Sequence, residues 1–130
     1  MNNDTNLLLY AKSEELFFRI YKTLRNYPQA EKFALCVDIK RDFSSLLRAI
    51  SLGNSVNSKR TTYLQEADGH LVNLKTWFTI AKRQKYINIP FYESIIESLS
   101  EIKRLLVGFM KSSANPEYSS KFNKASRRSK

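Results

Sequence analysis

The stretch "LQEADGHLVNLKTWFTIA", residues 64–81, decides the fold. Its apolar residues Leu64, Ala67, Leu71, Leu74, Phe78 and Ala81 follow a 3-4-3-4-3 spacing. That spacing puts them on one face of an α-helix, and no strand alternates this way. Working outward, three more segments show the same period. One runs from about Thr5 to Asn26, with Tyr10, Phe17, Ile20, Tyr21 and Leu24 on one face. The next runs from about Gln29 to Leu52, with Cys36, Ile39, Phe43, Leu46, Leu47 and Ile50 in register. The third helix itself extends from about Ser58 to Lys85. The last opens after Pro90 and carries Tyr92, Ile95, Leu99, Ile102, Leu106 and Phe109 or Met110.

The breaks between segments are short. Pro28 cannot continue a helix and disfavours helical geometry at Tyr27. Gly53 and Asn54 tolerate a left-handed backbone and suit a helix stop. Three glycines and three prolines in 130 residues fit long elements joined by brief connections. Sequential helices joined this way become antiparallel neighbours, which predicts an all-α, up-down-up-down four-helix bundle over residues 1–112. The remainder, 113–130, is polar and basic without periodicity and reads as a disordered tail.

Composition narrows the function. The net charge is +10 in 15.2 kDa, of which the tail supplies +4 and residues 1–112 supply +6. A basic domain of this kind favours polyanionic partners. Cys36 stands alone, which excludes an intramolecular disulfide and a thiolate metal cluster. His70 is the single histidine, and no acidic or thiol cluster at ligand spacing accompanies it, so neither a metal nor a cofactor is expected. Ribonucleases of the HEPN class carry an Arg four to six residues before the His; here Arg60 is ten before His70, and no catalytic role is expected. The N-terminus lacks a signal peptide's basic start and long apolar run. No apolar stretch nears the roughly 18 residues of a membrane span, so the expectation is a cytoplasmic, non-enzymatic protein with no membrane contact.

Two surface features go beyond one buried stripe. On the fourth helix Ile96 and Val107 project away from the core row and Leu105 sits at its margin. On the third, Tyr63, His70 and Trp77 recur every seven residues beside the core row. One apolar face about 100° wide is enough for a monomeric bundle, so this surplus predicts lateral association of copies. The second feature is basic. Lys12 and Arg19, Arg41 and Arg48, Lys75 and Lys82, and Arg104 and Lys111 are spaced by seven, one pair on each helix. Such rows can track a phosphate backbone without reading sequence, since zinc-finger spacing, a recognition-helix turn and an aromatic RNA-binding strand are all missing.

Three motifs, in order, resemble the accessory variability determinant proteins of diversity-generating retroelements. "YPQAEKFALCVDIK" is similar to the opening of their second helix, through Tyr27-Pro28, Lys32-Phe33 and Leu35. "LQEADGHLVNLKTW" resembles their third helix through Asp68, Leu71, Leu74 and Lys75. "SEIKRLLVGFMKS" resembles their fourth through Glu101, Ile102, Arg104, Leu105, Leu106 and Gly108, with Lys103 and Val107 replacing glycines and Phe109 replacing a Trp. The resemblance spans residues 7–112. It implies a four-helix bundle assembled as a homopentameric barrel, binding to template RNA or DNA in mutagenic retrohoming, and the retroelement reverse transcriptase as partner. The working surface expected from it and from the basic rows is Lys75, Lys82, Arg104 and Lys111, with Arg41 and Arg48; the expected subunit contacts are Tyr63, His70, Trp77, Ile96, Leu105 and Val107. Proteins encoded in intervening sequences of 23S ribosomal RNA share the architecture, but "CVDIKRDFSSLLRAISLGNS" lacks their Asn-Ile-x-Glu-Gly segment, which ranks them second, together with a purely structural helical oligomer.

Overall fold

A computed structural model describes the backbone of residues 2–114 and the side chains of residues 6–112. Helix α1 spans Asn2–Thr23, α2 Leu35–Ser55, α3 Arg60–Arg83 and α4 Ile89–Ala114. No strand occurs among the described residues, and single 3₁₀ turns occupy Leu24–Asn26, Gln29–Glu31 and Asn57–Lys59. Each helix packs on its chain neighbours, and α1 also packs on α4, so the four close into a ring of seams with α2 against α3 the most extensive. α4 runs two residues past the boundary expected at 112; the expected tail beyond it lies outside the described residues.

In α2, α3 and α4 the core forms largely where the periodicity predicts it, although Leu47 and Tyr92 of the expected rows are only half-buried. All six α3 positions are buried, as are Cys36, Ile39, Phe43, Leu46 and Ile50 of α2 and Ile95, Leu99, Ile102, Leu106 and Phe109 of α4. Phe43 lies at its centre, stacked on Phe17 at 4.7 Å and tilted against Phe78 at 6.3 Å. In α1 the buried row is Leu9, Ser13, Leu16 and Ile20, while Tyr21 is 53% exposed. The expected face through Tyr10 and Tyr21 is therefore rotated by one residue. Ser13 can fill a core position because its hydroxyl donates to the Leu9 carbonyl at 2.9 Å, leaving no unpaired polar group.

Two helix ends differ from expectation. α2 starts at Leu35 and not Gln29, because the chain after Pro28 makes a 3₁₀ turn and the Glu31 carboxylate accepts from the Leu35 N–H at 3.3 Å. At its other end α2 runs straight through Gly53, which is not left-handed. Gly53 is needed for close approach: a Cβ there would lie 2.7 Å from Leu64 Cδ2 of α3. The carbonyls ending α2 are capped by Arg60, which donates to Gly53 O at 2.6 Å and Asn54 O at 3.0 Å. α4 starts with Asn88 Oδ1 accepting from the Phe91 N–H at 2.8 Å, so Pro90 sits harmlessly in the first turn.

Candidate nucleic-acid and partner interface

Between α3 and α4 the surface opens into a groove of about 400 Å³. Leu71, Val72, Ile96 and Leu99 form its apolar floor, and Lys75, Lys103 and Arg104 its cationic rim. One acid, Asp68, joins the rim and is bonded to the Lys103 amine. Lys75 and Arg104 are exposed, and no ion pair at either is found among the described residues. Three of the residues singled out from sequence thus meet at one site, Lys75 from α3 and Ile96 and Arg104 from α4.

The other basic rows are dispersed. Lys82 sits in the last turn of α3, where its amine lies 4.4 Å from the centre of the Tyr92 ring. That ring is held in turn by a 3.0 Å hydrogen bond between its hydroxyl and Thr79. Lys111 is exposed two turns beyond Arg104. Arg41 and Arg48 are exposed on α2, which neighbours α1 and α3, so they do not join the groove; Arg41 also pairs with Asp38 at 3.1 Å. Lys12 and Arg19 face α4, where Lys12 pairs with Glu101 at 3.5 Å and Arg19 donates to Ser94 at 2.8 Å. That row closes a seam of the bundle.

The residues expected at subunit contacts are all half-buried within the single chain. His70 and Trp77 have an inward partner that sequence reasoning missed. Asp42 of α2, only 7% exposed, accepts from Trp77 Nε1 at 2.6 Å and from Asn73 Nδ2 at 3.2 Å, and its carboxylate bonds to His70 Nδ1 at 2.8 Å. A carboxylate this buried requires such donors. The row of seven-residue spacing therefore fastens α3 to α2. Also unforeseen are large exposed apolar side chains elsewhere: Phe18 and Tyr21 on α1, Phe33 in the α1–α2 connection and Ile89 at the start of α4. A cue for Phe33 was available, since it follows Pro28 outside any periodic row.

With this geometry in hand, the relatives are informative. Residues 7–113 match the bAvd-like family, and the chain belongs to that family of accessory variability determinants. A crystal structure of a protein of unknown function from the S23 ribosomal protein family of Bacteroides thetaiotaomicron has the same fold. It superposes with a TM-score of 0.73 at 22% identity, over 82% of this chain and 98% of that one. No curated protein matches this chain. Family and fold are those of an accessory helical protein. No described helix is long and apolar enough to cross a membrane.

Proposed function

We propose that this chain is a non-enzymatic accessory protein, working in the cytoplasm as a homopentamer, that binds template RNA or DNA and the reverse transcriptase of a diversity-generating retroelement. The observation that carries the reading is the α3–α4 groove, where Lys75 and Arg104 stand free on the rim of an apolar floor. Exposed cations of this kind contribute under about 1 kcal/mol each to folding, whereas each phosphate they neutralise adds to polyanion affinity through counterion release. An apolar floor adds surface for a protein partner. Membership of the bAvd-like family and the net charge of +10 support the same assignment.

The test is the double variant Lys75→Glu/Arg104→Glu, whose two positions both lie on the groove rim. Helicity, melting temperature and assembly mass should stay as in the parent while gel-shift binding to RNA and capture of the reverse transcriptase fall. Unchanged binding of both at about 0.15 M salt, where exposed charges are screened beyond roughly 8 Å, would move the working surface away from this groove. A parent protein that shifts neither RNA nor DNA would leave a structural oligomer as the better reading.

A further inference from the structure

The two connections at one end of the bundle, residues 24–34 and 84–88, are in contact. The Tyr27 and Tyr86 rings lie 5.4 Å apart, and the Tyr86 hydroxyl donates to Glu31 Oε2 at 2.9 Å. This gathers Lys22, Arg25 and Lys32 from one side and Lys82, Arg83 and Lys85 from the other onto a single end. The one carboxylate in these two connections is Glu31, already bonded to Tyr86 and to the Leu35 N–H. Lys32 is committed to the carbonyls of Leu24 at 3.1 Å and Arg25 at 2.5 Å. Arg25, Arg83 and Lys85 are exposed, and the last two line a hollow of about 600 Å³ beside Asn88. At the opposite end Arg60 is taken up in capping α2.

Two further features of the basic end are unfavourable for folding alone. Lys85 has φ 65°, with its N–H bonded to Lys82 O and the following Tyr86 N–H to Ala81 O, both at 2.9 Å. This is the left-handed residue that ends a helix, a position suited to glycine and strained for lysine. The second is Phe33, 85% exposed, the most exposed large apolar side chain described. A strained residue that carries a charge and a bare ring at the same end of the bundle are how a binding surface is built at the expense of stability.

We infer that this end of the bundle binds single-stranded nucleic acid, with Arg25, Arg83 and Lys85 on the phosphates and Phe33 stacked on an unpaired base. The ring selects single strands because the faces of paired bases are already covered by their neighbours. This inference rests on the nucleic-acid reading above, but it sets the contact at a surface separate from the α3–α4 groove.

The experiment uses the full chain, a fluorescein-labelled 20-nucleotide oligouridine and an RNA duplex of equal length, read by anisotropy across a salt series. Arg25→Ala/Arg83→Ala/Lys85→Gly should reduce the slope of log affinity against log salt by about 2, at roughly 0.7 per phosphate contact on a single strand. Phe33→Ala should weaken oligouridine binding about tenfold and leave duplex binding unchanged. Lys85→Gly alone should raise the melting temperature by about 4 °C while weakening oligouridine binding, opposite signs that simple damage to the fold does not produce. If the parent binds oligouridine and all three variants match it, the inference is overturned and the groove reading stands. A parent that binds no RNA overturns both. Should Phe33→Ala alter assembly mass or reverse-transcriptase capture with RNA affinity unmoved, this end is a protein contact and the inference fails.

Discussion

Replacing Asp42 by Ala tests whether the carboxylate joins α2 to α3 as strongly as its geometry indicates. Three donors converge on it, from Trp77, His70 and Asn73 at 2.6, 2.8 and 3.2 Å. A hydrogen bond to a charged acceptor is worth about 1.5–3 kcal/mol when buried. Asn73 is exposed and recovers water, so little is lost there. Trp77 and His70 are half-buried, and taking the lower figure for each gives about 3 kcal/mol. Asp42→Asn keeps one acceptor oxygen but turns an amide toward the other donors, and should cost about half as much. Trp77→Phe removes a donor while keeping most of the ring, and in a double-mutant cycle it should be strongly non-additive with Asp42→Asn. Urea unfolding at one fixed protein concentration provides the measurement, since association of copies would shift the midpoint. The midpoint should fall with the slope unchanged. A loss below about 1 kcal/mol for Asp42→Ala would refute the reasoning and free His70 and Trp77 for another role.

For assembly, sedimentation equilibrium should give a mass several times 15.2 kDa, and Val107→Glu, which lies outside the groove, should lower it with helicity kept; a monomer at micromolar concentration contradicts the ring. Glycine substitutions should diverge: Gly69→Ala, with nothing within 4 Å of the added carbon, should stabilise by about 0.8 kcal/mol in urea unfolding. Gly53→Ala should instead destabilise by about 1 kcal/mol, because Leu64 must move. Stability should fall in alkali, because folding raises the Tyr27 phenol through burial, the Tyr86 phenol through its hydrogen bond to Glu31, and the Cys36 thiol through burial. A raised folded value means the contribution is complete below the unfolded values, 9.0 for the thiol and 10.0 for the phenols, and is lost as pH climbs past them. Tyr27→Phe removes a buried hydroxyl with no protein partner; it should match or exceed the parent by up to about 1 kcal/mol at neutral pH and unfold less readily in alkali.

The helices were legible because burial follows period. In α3 each core position recurs at helical spacing, and the large apolar residues off that row, Tyr63, Val72, Trp77 and Ile80, form no competing row of equal length. α1 was less legible because Leu7, Leu8, Leu9 and Tyr10, then Phe17 and Phe18, put apolar side chains all round the helix. The true row includes Ser13, which no hydrophobicity count selects. Asp42 escaped notice for a different reason: its partners lie 28, 31 and 35 residues away, and no local pattern marks a carboxylate that will be buried. Similarly, spacing by seven aligns Lys75 with Lys82 on α3 but says nothing about what either faces across the seam. The groove partner of Lys75 turned out to be Arg104, while Lys82 settled on Tyr92.

The ring of seams sets an order of assembly. Three of its four contacts join helices adjacent in the chain and close over short connections. The fourth, α1 on α4, brings together residues far apart in the chain, among them Arg19 and Ser94, 75 apart, and it is held in part by polar pairs such as Lys12 with Glu101. Closing the longest loop carries the largest entropy cost, and its contacts return nothing until both helices are in place. The α2–α3 hairpin, with the most extensive seam and the Asp42 cluster, should therefore form first and the α1–α4 seam last. Pulse-labelled hydrogen exchange during refolding should protect amides of α2 and α3 ahead of those in α1, and protection of α1 before α3 would contradict that order.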